Sequence, residues 1–234
     1  SKVSFQGVYP AACGERVWPV AAADPRGFAA RAVEGMWRDL GGKLTGSVRD
    51  GKVPPGLKPA FVVTSPALAE VVRDVNKYSN NVMAQQVFLT LALQKNGAAT
   101  FDGAREVLRQ WWQARMGDAD LPQVDNGAGL SRDARLTAQA LARMLQVAWV
   151  SPVMPELVAS LPITGVDGTL RRSQSRAGTA HLKTGSLRDV MAVAGYVHAA
   201  SGRRYVLVAV VNHPNAGAAR PVLDSLIDWT AREQ

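Results

Sequence analysis

Residues 181–211 constrain the fold more tightly than any other stretch of the chain. His181-Leu182-Lys183-Thr184-Gly185-Ser186-Leu187 is followed by two apolar segments, 190–197 and 205–211, with Ser201-Gly202 between them. Apolar runs of this length bounded by turn residues read as antiparallel strands, so a three-stranded meander with a tight turn near Ser201-Gly202 is expected. The first strand carries polar groups where a core strand carries Val or Ile. Period-two alternation puts Leu182, Thr184 and Ser186 on one face and His181, Lys183 and Gly185 on the other. Gly185 has no side chain, so another backbone or a ligand can come close. A cation, two hydroxyls and strand N–H groups are the set that holds a carboxylate and an oxyanion. The same residues also suit a lysine on a solvated edge strand.

A length of 234 residues allows one large domain or two small ones. Hydrophobic content of 47% and charged content of 20% are those of a globular chain. The longest apolar stretch, Tyr205 to Val211, is far shorter than a membrane span. The chain begins at Ser1 without a signal-like segment, so it reads as a mature or trimmed product whose compartment the missing leader leaves open. Net charge is +8, but the lysines and arginines are scattered, and the densest groups, Arg171-Arg172 and Arg203-Arg204, are only pairs. Nucleic acid is therefore not an expected partner. The charge permits peripheral attraction to anionic polymers or membrane surfaces, and a solubilising role accounts for it equally well. Cys13 is the single cysteine, and His181, His198 and His213 show no metal-ligand spacing, so neither a metal nor another cofactor is expected.

Along the chain, residues 1–23 read as loop and short strand. Asp24-Pro25 has the form of an N-cap and first helical residue, with Phe28, Ala32, Met36 and Leu40 at helical spacing and Gly41-Gly42 as the stop. Ala60–Thr64 reads as a short strand and Ser65-Pro66 as the cap of a helix carrying Leu68, Val71, Val72 and Val75. A second helix runs from Asn81 to about Leu93, leaving Lys77-Tyr78-Ser79-Asn80-Asn81 at a sharp junction held from both sides. Thr100 caps a further helix to about Met116, and another carries Leu136, Leu141, Leu145 and Ala148. Pro155–Leu161 reads as a short helix. Asp125–Arg132 and Gly165–Leu170 are glycine-punctuated turns; the Gly127-Ala128-Gly129 stretch lacks the third glycine of a dinucleotide fingerprint. Ala218–Ala231 is a terminal helix with Val222, Leu226, Ile227 and Trp229 expected over one face of the sheet.

Two motifs then stand in order: Ser79-Asn80-Asn81 at a helix junction and Lys183-Thr184-Gly185 on a strand, 104 residues apart. Together they match the S-x-N and K-T-G elements of penicillin-recognising serine enzymes. Asn76–Asn81, Asp125–Arg132 and Leu161–Leu170 agree. The combination resembles the low-molecular-mass class C penicillin-binding proteins, the D-alanyl-D-alanine carboxypeptidases/endopeptidases. The resemblance covers roughly residue 60 to the end. It implies an α+β, β-lactamase/transpeptidase-like fold, an antiparallel sheet flanked by helices on both faces and incomplete in this chain. Residues 1–58 would be the tail of an inserted accessory domain and its connection, and residues 59–234 the C-terminal part of the penicillin-binding domain.

One departure is serious. That family's nucleophile is the serine of an S-x-x-K element, and no serine here has a lysine three residues on. The chain thus reads as the C-terminal part of a longer polypeptide. Ala128 departs too, standing where the family often has Ser, and is read as structural.

By resemblance, Ser79 relays a proton to the leaving D-alanine nitrogen; its residue type also suits a plain helix cap. Asn81 would bind the substrate amide carbonyl. Lys183 would face the terminal carboxylate, and Thr184 and Ser186 would hydrogen-bond it. Gly185 would keep the strand open to the substrate. The Ser186 N–H would supply half of an oxyanion hole. His181, two residues before Lys183, reads as an exposed strand histidine, with tuning of the lysine as the alternative. Implied partners are the peptidoglycan stem peptide, β-lactams and the protein's own N-terminal segment, in the periplasm. Cys13 would pair with a cysteine in that segment. The competing readings are a β-lactamase-like hydrolase of the same fold and a non-catalytic peptidoglycan-binding module.

Overall fold

A computed structural model of the chain describes residues 4–18 and 24–233. They divide into two compact units at Val63/Thr64. The sequence expectations for 1–3 and 19–23 lie outside the described residues.

The first unit contains a short 3-10 turn, Ala11–Cys13, and helix α1, Phe28–Asp39. The helix starts later than the Asp24-Pro25 pair suggested. Asp24 Oδ1 instead accepts the Gly27 N–H at 3.2 Å, and the Arg31 guanidinium closes on Asp24 Oδ2 at 3.2 Å. These contacts close a turn ahead of the helix and hold the Asp24 carboxyl below its usual range, first through the Gly27 N–H. Phe28, Met36 and Leu40 are exposed.

The second unit carries α2 (Leu68–Tyr78), α3 (Asn81–Asn96), α4 (Phe101–Met116), α5 (Ala138–Trp149), α6 (Met154–Ser160), then β1 (Ala180–Leu187), β2 (Val190–His198), β3 (Arg204–Asn212) and α7 (Arg220–Ala231). Three helices begin on side-chain caps. Asn80, Thr100 and Thr137 accept the backbone N–H groups of Met83, Gly103 and Ala140 at 3.1, 3.1 and 3.0 Å. Each satisfies a donor that the first turn cannot pair. Residues 60–64, expected as a strand, form none. They are exposed, so nothing pairs with their backbone or buries their apolar side chains. Ser65 does not cap α2 either. Its hydroxyl donates to Pro66 O at 3.2 Å and the helix opens after Ala67.

The meander forms one antiparallel sheet in the order β1-β2-β3. Its register, Leu182↔Gly195↔Leu207 and Lys183↔Ala194↔Val208, sorts side chains to two faces. On one face Leu182, Val193 and Val197 pack with Leu223, Ile227 and Ala231 of α7. On the other, Tyr196 packs with Leu145 of α5 and with Leu161 just after α6. Helices therefore cover both faces, as the resemblance implied. The buried side of α7 matches the expected one at Ile227 and differs at its flanks. Val222 and Trp229 are 67% and 71% exposed, because the turn of the helix that meets the sheet carries Leu223 and Ile227. At Gly195 a Cβ would stand 2.2 Å from His181 O, so β1 and β2 approach as only glycine permits.

Leu182 is fully buried between β1 and α7. Leu182→Ala in the intact polypeptide is expected to cost about 3 kcal/mol, read by urea unfolding. A loss below about 1 kcal/mol would show that β1 is not anchored through this side chain.

Candidate active site

Helix α2 and helix α3 are separated by only Ser79 and Asn80. The sequence had suggested a five-residue polar junction. In the structure Lys77 and Tyr78 are the last residues of α2, and Asn81 already lies in the first turn of α3. Ser79 makes the reversal by adopting the left-handed conformation, φ 51° and ψ 48°, while the Asn80 N–H donates to Val75 O at 3.2 Å. Left-handed backbone is costly for a residue with a Cβ, so surrounding structure must hold it there.

Strand β1 supplies the opposing wall. Its beginning is paired on its outer edge: Thr164 N donates to Ala180 O at 3.0 Å and Leu182 N to Pro162 O at 2.9 Å. Along a regular antiparallel strand the residues whose backbone groups face outward alternate. Ala180 and Leu182 face outward, so Thr184 and Ser186 do as well. The Ser186 N–H thus points away from β2, beyond the reach of the 162–164 segment.

The two walls meet at one hydrogen bond. Lys183 Nζ donates to Ser79 Oγ, and a second donation runs to Thr184 O at 3.1 Å. Partial burial of the ammonium pulls the Lys183 pKa below the ordinary lysine value. Thr184 Oγ1 lies 2.8 Å from Thr169 Oγ1. Ser79, Asn81, Lys183, Thr184, Gly185 and Ser186 all line a single cleft of about 590 Å³. The structure therefore brings together all six sequence-selected positions. Across from β1, the 125–132 turn contributes Ala128, Gly129 and Leu130. Asn126 Oδ1 shapes that turn by accepting the N–H groups of Ala128 and Gly129 at 3.0 and 3.1 Å. Ala128 therefore lies in the cleft wall as well as in a structural turn.

Two neighbours do not enter the cleft. Tyr78 is 72% exposed and is not part of the lining. His181, expected on an exposed strand position, is half-buried. Its ring stacks on His198 at 5.2 Å, and its Nδ1 lies 3.1 Å from Val158 O, which requires the Nδ1–H form. Burial is the cause of the lowered Lys183 pKa, and the His181 ring is turned to His198 and Val158 O. Among the described residues no three His, Cys, Asp or Glu side chains converge to hold a metal.

Sequence reasoning passed over the groups behind the cleft. Lys77 is 7% exposed, and its ammonium donates to Leu161 O at 2.7 Å and to Asp167 Oδ2 at 2.6 Å. Asn76 Nδ2 donates to Ser160 Oγ at 2.8 Å. Both partners lie more than 80 positions away in sequence. The available signal was a lysine two residues after Val75 in the last turn of α2, where a solvated charge is the ordinary reading.

With this arrangement in view, known proteins show what it belongs to. A D-alanyl-D-alanine carboxypeptidase of Actinomadura sp. (strain R39) is 28% identical over 181 residues, which are 73% of this chain and 34% of that protein. Carboxypeptidase Rv3627c of Mycobacterium tuberculosis is 33% identical over 151 residues, 60% of this chain and 32% of that one. The chain thus spans about a third of the length of these curated relatives. Penicillin binding protein 4 of Haemophilus influenzae, solved with a β-lactam bound, superposes with a TM-score of 0.75 at 22% identity. That match covers 88% of this chain and 52% of the other, and shows a shared α+β fold. The family described as D-Ala-D-Ala carboxypeptidase 3 (S13) matches residues 1–233, so this chain belongs to it.

Proposed function

We propose that the polypeptide containing this chain is a serine-type D-alanyl-D-alanine carboxypeptidase/endopeptidase acting on peptidoglycan stem peptides. The observation that carries the reading is the Lys183–Ser79 hydrogen bond at a cleft that Ser186 also lines. In this reading a serine hydroxyl attacks the carbonyl between two D-alanines, and a lysine next to it takes the hydroxyl proton. Both groups come from an S-x-x-K element that these residues do not contain. Carbon–oxygen bond formation gives a tetrahedral oxyanion, which the Ser186 N–H stabilises with the N–H of the nucleophile. Collapse breaks the carbon–nitrogen bond, and Ser79 delivers the proton that lets D-alanine leave. Water then releases the acyl group by the reverse proton path.

Asn81 holds the substrate amide from the first turn of α3. The Lys183 ammonium, with the hydroxyls of Thr184 and Ser186, receives the terminal carboxylate. Gly185 stands between them on β1, where a Cβ would meet the Ala192 Cβ at 3.3 Å. β-Lactams carry a comparable carboxylate beside a reactive amide, so the same groups would receive them. The exposed position of Tyr78, outside the cleft, supports the peptidase over a β-lactamase-like hydrolase. Residues 1–58 are taken as the tail of an inserted accessory domain, and the periplasm as the compartment. Cys13 is exposed and unpaired among the described residues, which fits pairing with a cysteine elsewhere in the polypeptide.

The test is acylation of the full-length polypeptide by a labelled penicillin, with the modified serine mapped. A stable adduct on an S-x-x-K serine is expected, and Ser79→Ala is expected to slow its formation by roughly 10²–10³-fold. Absence of an adduct would overturn the peptidase reading, as would rapid penicillin turnover.

A pH dependence follows from Lys183. Because its folded pKa is lowered, the unfolded chain binds more protons between the folded and ordinary lysine values. The burial penalty is full below that window and is relieved as pH rises through it, so Lys183 favours stability with increasing pH. Carboxylate binding has the opposite sense, because it needs the ammonium. The alkaline limb of kcat/KM is therefore expected below the ordinary lysine pKa. Lys183→Arg, which stays charged, should shift that limb upward even if the rate falls. A limb that Lys183→Arg leaves in place would assign it to another group.

A further inference from the structure

The structure assigns a positioning role to Lys77 and Asp167: the ion pair between the buried Lys77 ammonium and the part-exposed Asp167 carboxylate fixes the α2–α3 reversal against the 161–170 loop and so sets Ser79 opposite Lys183. The inference rests on the proposed acyl-transfer reading, and it adds residues that touch neither substrate nor nucleophile.

The loop is tied at both ends of the cleft. At one end Lys77 spends two of its three donors on it, at Leu161 O (2.7 Å) and Asp167 Oδ2 (2.6 Å). Asp167 is not free to follow the lysine, because its Oδ1 accepts the Ile163 N–H at 2.8 Å. The next residue meets the same turn of α2. Gly168 has φ +54°, and a Cβ there would lie 2.6 Å from Lys77 O, so the loop backbone rests directly on the end of the helix. At the other end Thr169 Oγ1 lies 2.8 Å from Thr184 Oγ1, on the residue next to Lys183. The loop is closed on itself by Gly165 N donating to Leu170 O at 3.0 Å. A continuous path of directional bonds therefore runs from Lys77, two residues before Ser79, to Thr184, one residue after Lys183.

The pair is a poor source of stability, since removing the Lys77 ammonium from water offsets much of its attraction to a carboxylate that stays part-exposed. Two apolar residues would fill this space at least as well. A pair of fixed polar groups instead accepts one register and penalises the others. Ser79 needs such a constraint. Its left-handed backbone is unfavourable, and the hydrogen bond from Lys183 tolerates little displacement of either wall.

The experiment compares Lys77→Met, Asp167→Asn and the double variant in the full-length polypeptide. Each single change leaves an uncompensated partner, so Lys77→Met is expected to lower the melting temperature. The double variant removes both charges and should recover it. Positioning does not recover. The double variant should cleave a D-alanyl-D-alanine peptide with kcat reduced roughly 10–100-fold and KM within about threefold of the parent, as expected for displaced groups. Its crystal structure should show Ser79 out of the left-handed region and its contact with Lys183 lost. Recovery of both stability and kcat, or a double variant that keeps the Ser79–Lys183 contact, would overturn the assignment. Asp167→Asn keeps the side-chain shape but offers one acceptor oxygen where the carboxylate serves both Lys77 and the Ile163 N–H, and it covers the case in which the double variant fails to fold. It should lower the melting temperature and, assayed well below that temperature, lower kcat with KM within about threefold of the parent; an unchanged kcat would count against the role. If the parent protein shows no peptidase activity, the functional reading fails, while the structure of the double variant still decides whether the ion pair sets the geometry.

Discussion

The hydrogen bond from Lys183 to Ser79 joins two pieces of chain 104 residues apart, one at the α2–α3 reversal and one on β1. A strand lysine normally extends into solvent, and a helix-terminal serine normally caps its own helix. Here neither does so. The sheet register sends Lys183 to the face covered by α5 and α6, and the sharp α2–α3 reversal turns the Ser79 hydroxyl toward it. Partial burial weakens the hold of Lys183 on its proton, which brings its charge closer to the pH range where it can be exchanged. The cleft owes its polarity to this contact and its position to the edge of β1.

That edge has two jobs along one strand. Near Ala180 and Leu182 it is a structural seam, paired with the 162–164 segment and anchored below by the fully buried Leu182 side chain. Beyond Lys183 the seam opens, and the same outward-facing backbone pattern leaves Thr184 and Ser186 toward the cleft. Anchoring and cleft lining are thus consecutive on one rigid element. A site built that way is more precise than one built on a loop.

Much of this was legible in the chain itself. The meander, its two faces and the terminal helix follow from apolar segments separated by Ser201-Gly202 and from strict alternation around Lys183. Ser79 and Lys183 were legible as a pair through the resemblance of Ser79-Asn80-Asn81 and Lys183-Thr184-Gly185 to the S-x-N and K-T-G elements, each motif being weak alone. The misses have physical causes. Residues 60–64 have strand-like composition but no partner strand among the described residues, and a strand exists only through pairing. Val222 and Trp229 look as apolar as Leu223 and Ile227, and only the docking angle of α7 decides which pair is buried. Lys77 was hidden for a related reason. A lysine buried against a carboxylate 90 residues away resembles, in sequence, any solvated lysine.

The central claim is that Ser79 and Lys183 flank one acyl-transfer cleft whose oxyanion donor is the N–H of Ser186. A crystal structure of the full-length polypeptide acylated by a β-lactam measures this most directly. The account requires the ester carbonyl oxygen within about 3 Å of the Ser186 nitrogen, and the drug's carboxylate within about 3 Å of the Thr184 or Ser186 hydroxyl beside Lys183. An acyl group whose carbonyl oxygen and carboxylate both lie away from β1 would contradict it.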